Sequence, residues 1–469
     1  MGSDGFNMRI NFFKAVILLY FIFTLFGCSG GIFGNMDYVP EEDGLNVNNW
    51  TVSISSDSNW LGGILSASAS TPGYSGEIFY EWVREGANGS IGSGSQYIIT
   101  EMDLKKAISV KITRIGAETS ATSSAFRVSG YNPIYNEADL RAVKTNRDYI
   151  LANDIEIKGQ WVPIAENYNN EYSGFFEGNG KTISFGNQDF LTGDLREYYF
   201  GLFGYIGGGT VQNLKLTGFF KFNIIYPDPD ISYLKTIYIG AVAGFSWGYV
   251  SNVSSEVNIK ISGDVETCTV QVGGIVGLMV SYDEISIKNC TWDGNLIIDG
   301  NNTTAVKQID KTLNVGGIVG GIAGGPSQNV CIVEYCWTAG QIEVTGILDD
   351  STIVIGGITG NQYSDSVINN CVALQSFMKS NAGASIGRIA GEVDELDSFR
   401  SDNFASSAML LNDFCIVNGA NNNKNGKDVT LPQEEDWWKN TAGWSVNWGG
   451  TKKQPWKWSV TSKRPVLWF

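Results

Sequence analysis

The sequence predicts an all-β fold: a right-handed parallel β-helix, a solenoid of stacked coils, preceded by a small β-sandwich. Three observations predict it. Glycine, at 57 of 469 residues, exceeds its usual share of about 7%, whereas proline, at 10 residues, falls short of its usual share of about 5%. Two short motifs recur in fixed order along residues 200–391. The segments between them are β-branched and alternating, as in Val257-Asn-Ile-Lys-Ile261 and Thr352-Ile-Val-Ile355, and no long stretch carries a helical period.

The N-terminus reads as an export signal. A basic start at Arg9 and Lys14 precedes an apolar run from Ala15 to Phe26, which at 12 residues is short of the roughly 20 needed to span a membrane. Small residues follow at Gly27-Cys28-Ser29-Gly30. The stretch Leu25-Phe26-Gly27-Cys28 resembles the bacterial lipobox, which implies removal of residues 1–27 and lipid attachment at Cys28. Residues 28–48, Gly-rich and then acidic at Glu41-Glu42-Asp43, read as a flexible tether.

Residues 49–130 form the expected sandwich. Strand candidates fall at Trp50–Ile54, Ile64–Ala69, Ile78–Val83, Gln96–Ile99 and Ile108–Ile115, separated by Gly, Ser and Asn. The runs Tyr80-Glu-Trp-Val-Arg84, Tyr97-Ile-Ile99 and Val110-Lys-Ile-Thr113 resemble the immunoglobulin-like repeats of bacterial surface proteins, with Trp82 in the context of a core tryptophan.

Residues 131–410 carry the repeats. The first motif appears as Phe200-Gly-Leu-Phe-Gly204, Gly240-Ala-Val-Ala-Gly244, Gly273-Gly-Ile-Val-Gly277, Gly316-Gly-Ile-Val-Gly320, Gly356-Gly-Ile-Thr-Gly360 and Gly387-Arg-Ile-Ala-Gly391, at spacings of 40, 33, 43, 40 and 31 residues. The second places Asn213, Asn252, Asn289 and Asn370 at one position, with Tyr335 in the same slot, and Leu214, Val253, Cys290, Cys336 and Cys371 immediately after it. Asparagine tolerates the left-handed region, so these residues are expected to turn a corner in each coil and to stack as one ladder about 4.8 Å apart. The residues that follow them should form an inward column. A phosphate-cradling glycine loop is excluded, because no helix pattern follows and the motif recurs six times. The repeats resemble GLUG motifs of bacterial surface and secreted proteins, as do Ala138-Asp-Leu140, Trp161-Val-Pro-Ile164 and Ser173–Ile183 before them.

Chemistry is restricted by composition. The chain has no histidine, which excludes imidazole-based triads and histidine-ligated metals. A net charge of −16 disfavours nucleic acid as a partner. Six cysteines follow Cys28; Cys290, Cys336 and Cys371 read as reduced core thiols, while pairing of Cys268, Cys331 or Cys415 stays open. No CxxC supports zinc, and no cofactor is implied. Asp154, Glu156, Glu177, Asp228 and Asp230 are the candidate carboxylates, read first as solvated turn residues and second as a polysaccharide-cleaving set with calcium. Seven of the 14 tryptophans lie in the last 33 residues, so residues 411–469 read as a Trp-rich cap over the open end of the solenoid.

The expected protein is a lipid-anchored envelope protein, exported to the outer membrane and surface-exposed, with a non-catalytic binding or adhesion role toward a host, matrix or glycan ligand. The alternative is a polysaccharide-binding or polysaccharide-cleaving β-helix. Insertions between Ile224 and Lys235 and between Asp299 and Leu313 are the expected binding loops.

Overall fold

A computed structural model of the protein describes residues 50–469 except 115–119, 193–195, 226–234, 266–267, 282, 302–311, 326–329, 348–351, 382, 395–397, 417 and 431–433. Cys28, the export segment, the tether, Asp228, Asp230 and most of both expected binding loops lie outside the described residues. The chain is all-β, with 56% strand and 6% helix. Among the described residues no helix is long and apolar enough to cross a membrane.

The N-terminal unit pairs its strands antiparallel. Thr51–Ser56, Ile64–Ser70 and Gln96–Ile98 form one sheet; Ser90–Ser93, Ile78–Arg84, Ala107–Arg114 and Ser120–Thr122 form another. Alternation turns Ile108, Val110 and Ile112 inward, where they meet Val52, Leu65 and Trp82. Trp82 is fully buried, donates its Nε1–H to Gly94 O at 2.9 Å and stacks on Tyr97 at 5.7 Å.

From Asn132 onward the pairing is almost wholly parallel, and each strand bonds to its counterpart one repeat later. One six-stranded sheet runs Glu197–Phe200, Lys235–Gly240, Cys268–Gly273, Thr312–Gly316, Thr352–Gly356 and Ala384–Gly387. A second runs Phe203–Ile206, Ala243–Ser246, Val276–Val280, Val319–Ala323, Thr359–Gln362 and Ala390–Val393. A third, curled sheet begins with the long strands Phe175–Leu191, Thr210–Ile224 and Tyr249–Gly263 and continues in shorter pieces. Its register sets Val211, Val250, Ile287, Val333 and Ile368 in one line, all fully buried. Such aligned apolar columns explain why the strands read as dense β-branched runs. The first two sheets meet at the glycine motifs. A Cβ on Gly273 would collide with Val276 O, and one on Gly316 with Val319 O, so only glycine fits this bend.

The asparagine positions bend the third sheet. Asn213, Asn252, Asn289 and Asn370 have φ of 57°, 54°, 54° and 52°, and Tyr335 takes the same conformation at 53°. The amide of Asn289 donates to Asn252 Oδ1 at 3.2 Å, and that of Asn252 donates to Asn213 Oδ1 at 2.9 Å. Asn213 in turn donates to both oxygens of Glu177, at 3.0 and 2.9 Å. Tyr335 breaks this series because its Cβ carries a phenol ring in place of the amide.

The C-terminal tryptophans sit elsewhere than over the end of the stack. That end is met by residues 418–429: Lys427–Val429 pairs with Phe404–Ser406, and fully buried Arg388 donates to Gly426 O at 2.9 Å and Asp428 Oδ1 at 2.5 Å. The Trp-rich segment instead lies along the asparagine corner. Trp444 donates to Asn370 O at 2.8 Å, Trp456 to Asn289 Oδ1 at 3.0 Å and Trp468 to Asn213 Oδ1 at 3.4 Å. The reason is a change on the outside of the repeats. Ser254 and Thr291 are followed in the same row by Trp337, Val372 and Phe404, which form a second core with Trp438, Trp444 and Trp456.

Candidate functional site

Among the described residues, the candidate carboxylates Asp154, Glu156 and Glu177 sit in different settings. Asp154 is exposed and accepts from the backbone N–H of Thr182 at 2.8 Å. Glu156 is exposed on Ile155–Glu156. Glu177 is buried and accepts from Asn179 N at 2.7 Å, Gln212 Nε2 at 2.8 Å and the Asn213 amide, with Lys452 Nζ at 3.6 Å. Its oxygens are thus occupied in starting the asparagine series. Glu177 is not the solvated turn residue expected: it is buried, and besides the local Asn179 its partners arrive from the next repeat and from the C-terminal segment.

Cys290, Cys336 and Cys371 are fully buried in consecutive repeats, behind Leu214 and Val253. They do more than fill space. The backbone N–H of Cys290 donates to Cys336 Sγ at 3.4 Å, and that of Cys371 donates to Asn403 Oδ1 at 3.0 Å in the last repeat. The corner therefore leaves an amide that a sulfur or amide oxygen one repeat on can accept, which leucine and valine cannot do. Each Sγ also faces carbonyl oxygens, as with Lys288 O at 3.3 Å and Glu334 O at 3.2 Å. Burial pushes the Cys290 and Cys371 thiols well above the ordinary thiol range. Cys268 is buried, Cys331 is a buried free thiol, and Cys415 is an exposed one. Among the described residues no group of three Cys, Asp or Glu is placed to hold a metal ion.

The feature that sequence reasoning missed is an aromatic cleft where the first two parallel sheets meet. Two residues before the first glycine of each motif, an outward side chain stands on the first sheet; one residue after the last glycine, another stands on the second. In the first two repeats these are Tyr199 and Tyr238 on one wall and Tyr205 and Phe245 on the other. Gly244 allows the walls to converge, since a Cβ there would lie 2.7 Å from Phe200 N and 2.8 Å from Tyr199 Cα. Tyr199 stacks on Tyr238 at 4.9 Å, Tyr205 stacks on Phe245 at 4.6 Å, and Tyr199 meets Tyr205 edge to face at 5.5 Å.

Exposed Tyr168, at the start of a short helical turn capped by Asn167, together with Arg196 and Glu197, completes a cleft of about 700 Å³. Tyr199 donates its hydroxyl to Glu197 Oε2 at 2.5 Å. Burial and the Glu197 carboxylate raise the Tyr199 phenol far above its ordinary value, and burial pushes Tyr238 up to about 12. Both phenols stay protonated near neutral pH, so they serve as donors and ring faces rather than as bases. The available signal was Tyr or Phe at two fixed offsets from the glycines, confined to the first two repeats.

No protein-family model matches the chain, and no curated protein matches it.

Proposed function

We propose that this chain is a non-catalytic glycan-binding protein of the cell envelope, built on a right-handed parallel β-helix behind an immunoglobulin-like sandwich and tethered by a lipid on Cys28. The observation that carries the binding role is the cleft of Tyr199, Tyr238, Tyr205 and Phe245, open to solvent beside Tyr168. Aromatic faces stack on the apolar faces of sugar rings, and the flanking Asn167, Arg196 and Glu197 supply the few polar groups that orient a ligand. Parallel strands that bond one repeat onward support the solenoid reading, and the two small antiparallel sheets around Trp82 support the sandwich. The repeat motifs, through their resemblance to GLUG repeats, point to the same surface setting.

Isothermal titration with a panel of neutral oligosaccharides tests the reading. The wild-type protein should bind at least one member, and Tyr199→Ala and Tyr238→Ala should each weaken binding about tenfold or more, equivalent to roughly 1.4 kcal/mol. Oligosaccharide products released during the same incubations would replace binding with turnover. For the anchor, mass spectrometry of membrane-extracted protein should find an acylated Cys28, and Cys28→Ala should free the protein from membranes.

A further inference from the structure

The two rows of outward side chains that make the cleft do not stop at Tyr238 and Phe245. The first continues in register through Gln271, Asn314, Val354 and Ser385, and the second through Leu278, Gly321, Asn361 and Glu392. Successive members lie about 4.8 Å apart along the stack. One repeat beyond the rings, the character of the first row changes from aromatic to amide, at Gln271 and then Asn314. Asn314 donates through Nδ2 to Gln271 Oε1 at 3.1 Å and to Tyr363 Oη at 3.2 Å. Its Oδ1 is buried and has no hydrogen-bond partner. Gly321 keeps this stretch of the second row free of a side chain; a Cβ there would sit 3.0 Å from Gln271 Oε1 and 3.4 Å from the half-buried Tyr363 ring.

Resting on the glycan-binding reading, we propose that the groove holds an internal stretch of a linear neutral polysaccharide laid along the repeats, with a ring-stacking subsite at Tyr199, Tyr238, Tyr205 and Phe245 and a hydrogen-bonding subsite at Asn314, Gln271 and Tyr363. Filling the whole row calls for a chain over a single sugar: Tyr238 and Gln271 are neighbours, but Tyr199 and Asn314 are three repeats apart, about 14 Å, which only several linked rings can span. The orphaned Asn314 Oδ1 lacks a donor, and polysaccharide hydroxyls are donors of the required kind; because Asn314 is fully buried and Gln271 nearly so, a hydroxyl reaches it only if the half-buried Tyr363 ring turns aside. Charge decides for a neutral polymer. A chain of net charge −16 repels uronic-acid polymers, and within the cleft Glu197 offsets the cation Arg196.

The test is titration calorimetry of the full chain with cello-, laminari-, manno- and xylo-oligosaccharides of two to eight rings, with polygalacturonate as the acidic arm. Affinity for the bound series should climb about tenfold or more between two and roughly five rings and then level off. Tyr363→Phe, which removes only the hydroxyl, and Asn314→Leu should lower affinity for long chains and leave the shortest bound member unchanged. Thermal unfolding of each variant separates lost binding from lost folding. If binding depends on Tyr199 but not on chain length, Asn314 or Tyr363, the two-subsite groove is wrong while the glycan-binding reading stands. Preference for polygalacturonate overturns the neutral-polymer assignment. Absence of binding across the whole panel removes both.

Discussion

The indole Nε1 of Trp456 donates a hydrogen bond to Oδ1 of Asn289, at 3.0 Å and across 167 residues of sequence. Both side chains are buried, Trp456 completely. The bond joins the C-terminal segment to the asparagine series near the point where Tyr335 interrupts it. Trp456→Phe, which removes the donor but keeps an aromatic ring, should cost about 1–3 kcal/mol, the usual effect of stranding a buried acceptor. Trp456→Ala should cost about 3–5 kcal/mol through the added cavity. Urea unfolding monitored by fluorescence measures both; a midpoint unchanged in Trp456→Ala would show that the segment does not support the repeats.

Glu177 is the acceptor at which the amide series ends. Glu177→Gln places an NH2 group where Asn213 presents its own donors, so at least one of those hydrogen bonds must be lost. The expected loss is about 1–3 kcal/mol in chemical denaturation. Asp154→Asn, on an exposed residue, should stay within about 0.5 kcal/mol of wild type.

Thiol access should divide the cysteines sharply. Cys415 is exposed and should react with a maleimide in the native protein, whereas Cys290, Cys336 and Cys371 should react only after unfolding. Raising the pH from 7 to 9 should leave the buried three unreactive, because burial blocks the reagent at all of them and disfavours the thiolate at Cys290 and Cys371. Mass-resolved peptide labelling reads each site. Rapid native labelling of Cys336 would place this column outside the core.

The N-terminal unit should weaken in acid through Asp103. Burial works against its charge but is outweighed by hydrogen bonds from Thr100 N at 2.7 Å, Thr100 Oγ1 at 2.6 Å, Tyr97 Oη at 2.8 Å and Arg84 at 3.0 Å, which hold the carboxyl below its ordinary value. A carboxyl depressed in the folded state contributes stability above its unfolded pKa near 3.9, and that contribution is lost as pH falls through the lower folded value. Unfolding of the N-terminal unit should therefore become easier below about pH 4, and Asp103→Asn should flatten this dependence while lowering stability at pH 7. Denaturation curves at pH 7, 5 and 3 test it.

The parallel all-β character was legible because a repeating fold must restore the same backbone every turn. That demand left glycines such as Gly273 and Gly316 at one bend and asparagines such as Asn213 and Asn252 at another. What escaped was anything depending on which side chains face each other across repeats. Glu177 looked like a turn carboxylate because nothing local reveals that Asn213, 36 residues on, hydrogen-bonds to both of its oxygens. Tyr199 and Tyr205 look like ordinary strand aromatics until the approach of their backbones at the glycine bend sets their rings edge to face. The tryptophans signalled a large apolar surface needing cover, but its place was written in Trp337, Val372 and Phe404, residues that in isolation read as core.

The strap of tryptophans also imposes an order of assembly on a chain that emerges from its N-terminus. Lys452 bonds to Asn179, 273 residues earlier, so this early strand receives that contact only after Lys452 has been synthesised. A polypeptide cut short before Trp438 would leave Trp337, Val372 and Phe404 facing water, a sticky flank that invites proteolysis or aggregation. The Trp-rich segment thereby acts as a seal: a chain that carries it hides its apolar flank, and one cut short before it advertises that flank.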